Sequence, residues 1–179
     1  LHLCALALRW SPGDVVFTSP LSFVATSNCV EMVGAYVKFV DIDPTSWTID
    51  VQKLEHAIQR CKEDSALKAK AIIAVDFAGH PADWKALREI ADKYQLDLVN
   101  DNCHAIGAKY FGDHEYGVKY ADIVTLSFHP VKHITTGEGG SILTNKPEID
   151  KKVRILRTHG MTKAKDQLEN NEGPWYYEM

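Results

Sequence analysis

The stretch SFHPVKHITTGEGG, residues 127–140, decides how this chain is interpreted. It directly follows IVTL (residues 123–126), an apolar run short enough to be a buried strand. Pro130 excludes a helix through the stretch, and the glycines from Gly137 onward permit a tight turn. The pattern therefore predicts that Lys132 lies just beyond the end of a strand, where α/β proteins place their reactive groups.

A lysine in this position has two interpretations. Partial removal from water lowers the pKa of an amine and makes the amine a nucleophile toward carbonyl groups. The alternative is an ordinary solvated lysine of a surface loop. The rest of the sequence has to decide between these two interpretations.

The composition limits the kind of protein. The 179 residues are 45% hydrophobic, which is enough for the core of one domain. A formal net charge of -4, without a basic stripe, argues against a nucleic-acid partner or an acidic membrane surface. No apolar run approaches the length that spans a bilayer, and the four scattered cysteines suggest neither a zinc site nor a disulfide framework. We therefore expect no metal site, no membrane association and a cytoplasmic location.

Apolar runs alternate with amphipathic helical patterns along the chain. The run AIIAV (residues 71–75) is typical of a parallel strand that is buried on both faces. Shorter strands are predicted at 15–18, 36–42, 96–100, 123–126 and 141–144. The alternation predicts an α/β fold with a mostly parallel sheet and helices on both faces.

Capping residues place two of the helices. Ser22 is expected to cap a helix that ends at Gly34. Asp50 is expected to cap a helix over residues 51–61, whose apolar positions fall on one face. Residues 111–120 contain two glycines and are interpreted as a loop or a small hairpin.

Asp101 is the second informative residue, because it follows the strand predicted at 96–100. Groups at the strand ends of one sheet can face the same crevice, and here Lys132 supplies an amine and Asp101 a carboxylate. Pyridoxal phosphate needs both, because its aldehyde reacts with an amine and its ring nitrogen keeps a proton beside a carboxylate. Considered alone, Asp101 is better explained as a helix N-cap.

Two long motifs together resemble the signature of the DegT/DnrJ/EryC1/StrS sugar aminotransferases. DNCHA (101–105) is similar to the family's D-x-x-H/Q-A motif, and residues 127–140 are similar to its S-F-H-x-x-K motif followed by E-G-G. The blocks GDVV (13–16), SFVAT (22–26) and GA (34–35) match earlier parts of the family pattern. The resemblance runs along the whole chain and implies the large domain of a fold type I pyridoxal-phosphate (PLP) transferase.

The resemblance implies a role for each matching residue. Lys132 is similar to the Schiff-base lysine, which moves a proton between the substrate Cα and the cofactor C4′. Asp101 is similar to the partner of the pyridinium nitrogen. Phe23 resembles the aromatic residue that stacks on the cofactor ring, with ordinary helix core as the alternative. Ser127 resembles a ligand of the cofactor phosphate.

Two histidines lie within the matching motifs. His104 occupies the place of a His or Gln near the 3′ oxygen of the cofactor, and a structural histidine is the alternative. His129 has no assigned role. A dehydratase in the family has His in place of the reactive lysine, so Lys132 favours transamination here.

The implied reaction is a ping-pong transfer of an amino group, with glutamate as the expected donor, to a nucleotide-linked 4-keto-6-deoxy sugar. Residues 133–140 and 173–179 look most like transaminases that make 4-amino-4,6-dideoxy-N-acetyl-altrosamine for surface polysaccharide or flagellin glycans. The alternatives are a non-catalytic module, such as a regulatory pseudoenzyme, and another fold type I enzyme, such as a desulfurase or an aldolase. Family members form dimers with shared active sites, which implies a homodimer for the full-length protein.

Both ends of the chain suggest that residues 1–179 form part of a longer protein. LHLCALAL (1–8) has the pattern of a buried helix without an initiator Met, and residues 175–179 form an aromatic cluster. The resemblance implies a partial large domain that lacks its N-terminal phosphate-binding segment and its C-terminal small domain, so that this chain alone would be inactive. The segment 163–179 is expected to be a loosely ordered tail.

Overall fold

A computed structural model describes residues 1–164, 166–170 and 172–179. The described helices are α1 (His2–Ala7), α2 (Ala25–Glu31), α3 (Val51–Cys61), α4 (Trp84–Tyr94), α5 (Tyr116–Tyr120) and α6 (Pro147–Leu156). The described strands are β1 (Asp14–Thr18), β2 (Tyr36–Phe39), β3 (Lys68–Val75), β4 (Asp97–Asp101), β5 (Ile123–Ser127) and β6 (Gly140–Leu143). Strands and helices alternate along most of the chain, as the sequence pattern predicts.

The described strands form one six-stranded sheet in the order β2-β1-β3-β4-β5-β6. Strands β1 to β5 are parallel to their neighbours, and β6 runs antiparallel to β5. The strand order reverses between β1 and β3, and open α/β sheets form their crevice beyond the carboxyl ends of the strands at such a point. The predicted α/β fold with a mostly parallel sheet is confirmed.

Hydrophobic side chains cover both faces of the sheet. Helices α3, α4 and α5 pack on one face, where Leu54 and Trp84 are fully buried. Helices α1, α2 and α6 pack on the other face, where Val30 is fully buried. Strand β3 contributes Ile72 to the first cluster and Ile73 to the second. The continuous apolar run of β3 is thus explained by burial on both of its faces.

The cap of α3 is confirmed. The carboxylate of Asp50 accepts the backbone N–H groups of Gln52 and Lys53 at 2.9 and 3.0 Å. These two groups have no partner within the helix, so the side chain satisfies two of its free donors.

The predicted cap of α2 was wrong. The helix begins at Ala25, and no side chain caps it. The hydroxyl of Ser22 instead lies 2.6 Å from the hydroxyl of Thr26. Thr26 in turn donates to the carboxylate of Asp101, so the Ser22 hydroxyl is used in this tertiary contact instead of in a cap. Gly34 does follow the helix with φ of +74°, as its predicted place after the end of the helix requires.

The interpretation of residues 111–120 as a loop or hairpin is confirmed for residues 111–115 and was wrong for residues 116–120, which form α5. Gly117 is buried, and a Cβ atom at this position would lie 3.1 Å from Cγ2 of Val124. The glycine therefore permits a close approach of α5 to β5 instead of marking a turn. Burial of Tyr116 in the core stabilises the helix and outweighs the low helix propensity of glycine.

The segment 163–179 includes Lys165 and Asn171, which lie outside the described residues. Elsewhere in the segment, Glu178 pairs with Thr162 through an isolated bridge. The carboxylate of Glu178 also accepts backbone N–H groups from the same segment at 2.8 and 3.0 Å. The loose ordering of this segment stays a prediction.

The antiparallel pair of β5 and β6 holds both ends of the loop that contains Lys132. The backbone N–H of Phe128 donates to the carbonyl of Gly139 at 2.8 Å. Gly140 has no room for a side chain, because a Cβ atom would lie 2.7 Å from the carbonyl oxygen of Leu126. Gly140 is therefore needed for the loop to close onto β5.

We expect Gly140→Ala to lower the free energy of unfolding by about 1–3 kcal/mol, the range typical of overpacking. The added methyl group would press against the backbone of Leu126, which cannot rotate away. Urea denaturation measures the change. Ser141→Ala, one residue further along β6, is the control and should stay within about 0.5 kcal/mol of the unchanged protein. Equal effects of the two substitutions would contradict the steric explanation.

Candidate active site

Asp101 lies at the carboxyl end of β4 and is only 5% exposed. Its Oδ2 accepts a hydrogen bond from Oγ1 of Thr26 at 2.8 Å. Its Oδ1 accepts only a long bond, at 3.3 Å, from the backbone N–H of Cys103. An ionised carboxylate has about four acceptor positions. Oδ1 therefore keeps capacity for a further donor.

Backbone hydrogen bonds fix the chain on either side of Asp101. The N–H of Asp76 donates to the carbonyl of Asp101 at 3.1 Å, and the N–H of Asn102 donates to the carbonyl of Thr125 at 3.0 Å. Neighbouring segments of the chain thus hold the backbone of Asp101 and Asn102 from both sides. Asp101 does not cap a described helix, so the alternative interpretation as an N-cap is wrong.

A second strand-end carboxylate, Asp76, was missed in the sequence. It directly follows β3 and is completely buried. Its Oδ1 accepts the backbone N–H of Ala82 and the indole N–H of Trp84, both at 2.9 Å. Its Oδ2 accepts the amide of Asn102 and the hydroxyl of Tyr116, both at 2.7 Å. Asp76 thereby joins the segments that follow β3 and β4 to α4 and α5.

The four donors around Asp76 oppose the effect of its burial. Burial raises the pKa of the Asp76 carboxyl group, whereas the hydrogen bonds lower it. Asn102 also donates to the hydroxyl of Tyr116 at 2.8 Å, which closes a triangle of hydrogen bonds. The signal in the sequence was an acidic residue directly after the buried run 71–75, the same pattern that singled out Asp101.

Lys132 lies in the loop after β5, and its side chain is half-buried. Its backbone N–H donates to the carbonyl of His129 at 2.9 Å. Within the part of the chain that the structure describes, its amine makes no hydrogen bond and no ion pair. The amine is therefore available to a ligand.

His104 links the amine and the carboxylate electrostatically. Burial lowers the pKa of the His104 imidazole, the positive charge of Lys132 lowers it further, and the negative charge of Asp101 raises it. The ring of His104 also lies 6.0 Å from the ring of Phe77, centroid to centroid. His104 therefore lies close enough to Lys132 and Asp101 for both charges to act on its pKa.

Phe23 approaches the site through its neighbour Thr26. The backbone N–H of Thr26 donates to the carbonyl of Phe23 at 3.1 Å. The hydroxyl of the same Thr26 donates to Asp101. The ring of Phe23 is 70% exposed. Its alternative interpretation as helix core is therefore wrong, and the ring is free to cover a bound ligand.

Ser127 and His129 form the turn that leads from β5 to Lys132. The hydroxyl of Ser127 accepts the backbone N–H of His129 at 3.4 Å. The Nδ1 atom of His129 accepts the N–H of Val131 at 3.3 Å, and its Nε2 atom lies 3.9 Å from Oε1 of Glu138. These contacts give His129 a part in shaping the turn, which the sequence did not reveal.

Within the described ranges, no group of three or more His, Cys, Asp or Glu side chains is arranged to hold a metal ion. The helices in these ranges also include none that is both long and apolar enough to cross a membrane.

The DegT/DnrJ/EryC1/StrS aminotransferase family matches residues 1–176. The chain belongs to this family. Members of the family are PLP-dependent sugar aminotransferases, so the resemblance carried by DNCHA and by residues 127–140 is confirmed.

Curated relatives match the whole chain or nearly all of it. The uncharacterized protein MJ1066 of Methanocaldococcus jannaschii is 40% identical over 179 residues, which are 100% of this chain and 44% of that protein. The UDP-4-amino-4,6-dideoxy-N-acetyl-beta-L-altrosamine transaminase of Campylobacter jejuni is 39% identical over 165 residues, which are 92% of this chain and 42% of that protein. The chain thus spans less than half the length of these relatives.

Solved structures share the fold. A DegT DnrJ EryC1 StrS aminotransferase from Brucella abortus has a TM-score of 0.86 at 30% identity, and the match covers 97% of this chain and 44% of that one. The ntda protein of Bacillus subtilis, solved with bound cofactor PMP, has a TM-score of 0.79 at 35% identity over 95% of this chain and 36% of that one. The fold is accordingly that of the large domain of a fold type I PLP-dependent transferase.

The residues at the strand ends fit PLP chemically. Lys132 offers an amine without a partner among the described residues, Asp101 a buried carboxylate with a free acceptor position, and Phe23 an exposed aromatic ring. These are the groups that an aldehyde, a protonated ring nitrogen and an aromatic ring face would use. The individual contacts of these residues and of His104 and Ser127 with the cofactor stay predictions.

We expect Lys132→Met to raise the pKa of His104, because a nearby positive charge is removed, and Asp101→Asn to lower it. Titration of the His104 ring by NMR in the cofactor-free protein measures both shifts. Lys119→Met is the control, since Lys119 pairs with Asp113 at 3.0 Å and should leave His104 unchanged.

The same shifts predict the pH dependence of stability. Because folding lowers the pKa of His104, the unfolded chain binds more protons below a pH of about 6.5, and stability falls as the pH falls through that range. Lys132→Met should make the loss of stability at low pH smaller, because it removes a charge that lowers the pKa of His104. If Lys132→Met and Asp101→Asn shifted the pKa of His104 in the same direction, the result would contradict the placement of both charges near His104.

Proposed function

We propose that this chain is the cofactor-binding part of a PLP-dependent aminotransferase that acts on a nucleotide-linked 4-keto-6-deoxy sugar. The observation that supports the proposal is that the loop after β5 carries Lys132, whose amine has no partner among the described residues, while the neighbouring strand β4 ends in the buried carboxylate of Asp101. The expected amino donor is glutamate, and the product would be used in surface polysaccharide or flagellin glycans.

The proposed site assigns each residue one contact with the cofactor. When bound, PLP supplies an electrophilic aldehyde carbon and a protonated ring that draws electrons from the substrate Cα. Lys132 would hold the aldehyde carbon, and Oδ1 of Asp101 would hold the proton at the ring nitrogen. Phe23 would cover one face of the ring and exclude water, and Ser127 would donate to the phosphate.

Proton movement in the proposed mechanism depends on Lys132. Once the substrate amine has replaced it, the Lys132 amine would take the proton from the substrate Cα and deliver it at the cofactor C4′. His104 would lie beside the 3′ oxygen as a donor, and its lowered pKa favours the uncharged imidazole. The same amine would serve the donor and the sugar in the two halves of the reaction.

The proposed substrate class rests on the relatives. One relative is named as a UDP-4-amino-4,6-dideoxy-N-acetyl-beta-L-altrosamine transaminase, and another as the spore coat polysaccharide biosynthesis protein SpsC of Bacillus subtilis, which is 35% identical over 179 residues. The first name gives transamination of a UDP-linked sugar, and the second gives polysaccharide biosynthesis. A nucleotide-linked keto sugar is the substrate class that fits both.

A homodimer is part of the proposal. Five large apolar side chains are exposed on or beside α2 and on the edge strand β2; they are Phe23, Val24, Met32, Tyr36 and Phe39. Exposed apolar side chains concentrated in one region are typical of protein interfaces. Light scattering of the full gene product would measure the oligomeric state. The cytoplasmic location and the partial-domain assignment stay predictions.

We expect the full gene product that contains this chain to bind PLP with a visible absorbance band, because the cofactor joins the Lys132 amine. Lys132→Ala should abolish the band, and Lys132→Arg, which keeps the charge without a reactive amine, should abolish it as well. Lys85→Ala, on the exposed side of α4, is the control and should keep the band. An unchanged band in Lys132→Ala would favour a non-catalytic module.

Addition of glutamate to the loaded protein separates an aminotransferase from other fold type I enzymes. We expect the visible band to bleach, because the donor leaves its amino group on the cofactor, and a nucleotide-linked 4-keto-6-deoxy sugar should restore it. Absorbance spectroscopy follows both halves of the reaction. Aspartate in place of glutamate tests the choice of donor. A band that no amino donor bleaches would contradict the aminotransferase proposal and favour a desulfurase or an aldolase.

A further inference from the structure

A chain of two hydroxyl groups ends on the carboxylate of Asp101. Thr26 lies in the first turn of α2, is 1% exposed and donates from Oγ1 to Oδ2 of Asp101 at 2.8 Å. The hydroxyl of Ser22 lies 2.6 Å from that of Thr26. A hydroxyl group has one proton, and Thr26 gives its proton to Asp101. Ser22 is therefore the donor in the bond to Thr26.

This chain of hydrogen bonds crosses from one element to another. Ser22 and Thr26 lie before and within α2, whereas Asp101 ends β4, 75 positions after Thr26. Hydrogen bonds to an ionised acceptor are shorter and stronger than neutral ones. The bond from Thr26 therefore fixes which oxygen of Asp101 faces α2 and leaves Oδ1 directed away from it.

The other side chains near Asp101 include cysteine thiols, which are weaker hydrogen-bond donors than a hydroxyl group. Burial raises the pKa values of Cys4 on α1, Cys29 on α2 and Cys103 in the loop of Asp101, and the negative charge of Asp101 raises them further. Cys29 donates its S–H to the carbonyl of Thr26 at 3.3 Å, so it does not serve the carboxylate. Among the described residues, the short side-chain hydrogen bond that Asp101 accepts, at 2.8 Å, comes from Thr26.

We propose that Thr26, oriented by Ser22, is a positioning residue that holds Oδ1 of Asp101 toward the ring nitrogen of the bound cofactor. The inference rests on the proposed function, since it needs the contact between Asp101 and the ring nitrogen. Thr26 touches neither substrate nor cofactor in this role and acts only through Asp101. The segment that contains Phe23 and Thr26 would therefore both cover the cofactor ring and orient the carboxylate of Asp101.

A purely structural role of Thr26 would have a different signature. If the bond only joined α2 to β4, its loss would weaken the binding of any cofactor analogue to the same extent. If Thr26 aims the carboxylate, its loss would weaken only the binding of molecules that have a ring nitrogen. The analogue 1-deazapyridoxal phosphate has a carbon atom in that position and cannot make the contact with Asp101.

The experiment compares the dissociation constants of pyridoxal phosphate and 1-deazapyridoxal phosphate for the full gene product. We expect the unchanged protein to prefer pyridoxal phosphate by about ten- to a hundred-fold, as for a hydrogen bond to a charged group. Thr26→Val, which removes the hydroxyl at nearly constant shape, should reduce this preference by roughly three- to thirty-fold. Thr26→Ser should restore it.

Two further variants complete the test. Ser22→Ala removes only the outer hydroxyl and should reduce the preference in the same direction by a smaller factor, so it keeps the inference falsifiable if Thr26→Val does not fold. Ser27→Ala is the matched control, because the hydroxyl of Ser27 donates to the carbonyl of Val24 and not to the site. It should leave the preference unchanged.

The outcomes separate this inference from the proposed function. If the unchanged protein prefers pyridoxal phosphate and both Thr26→Val and Ser22→Ala keep the full preference, the positioning role of Thr26 is overturned and the proposed function stands. If the unchanged protein binds both molecules equally, the contact of Asp101 with the ring nitrogen is overturned, and the role of Thr26 is overturned with it. A preference lost in Thr26→Val and regained in Thr26→Ser supports the inference.

Discussion

The buried carboxylate of Asp76 is the constraint on which the site depends. Among the described residues it has no cationic partner, and four hydrogen-bond donors compensate for its removal from water. Those donors come from the segment after β3, from α4, from the segment after β4 and from α5. Because Asn102 is one of the donors, the residues on either side of it, Asp101 and Cys103, are held in place as well. The site is therefore built on a polar network beneath it.

The sequence predicted the parts of the site that depend on local pattern. Short apolar runs place the ends of strands, so the order of residues alone was enough to assign Asp101 and Lys132 to one edge of the sheet. The register of the parallel strands then brings these ends together. The resemblance to the family added the roles of Phe23, His104 and Ser127, which periodicity alone does not distinguish from core or surface residues.

The contacts that the sequence did not predict join positions far apart in the chain. Thr26 and Asp101 are 75 positions apart, and Asp76 and Tyr116 are 40 positions apart. The error at Ser22 has the same cause: a hydroxyl that local rules assign to a helix cap is used in a tertiary contact. Gly117 shows the converse, because a residue that local rules assign to a turn instead permits close packing of a helix on a strand.

The reversed direction of β6 has a consequence for the amine of Lys132. A chain that leaves one strand and returns along its neighbour is held at both ends by the same ladder of hydrogen bonds. The two ends of the loop between Ser127 and Gly140 are thus held at a fixed separation by the pairing of β5 with β6. A shift of β6 by one residue would lengthen or shorten this loop. It would also turn the side chains of β6 to the opposite face of the sheet. The position of the Lys132 amine therefore depends on the register of β6 on β5. Substitutions within the loop can alter the surroundings of the amine while the two ends of the loop stay in place.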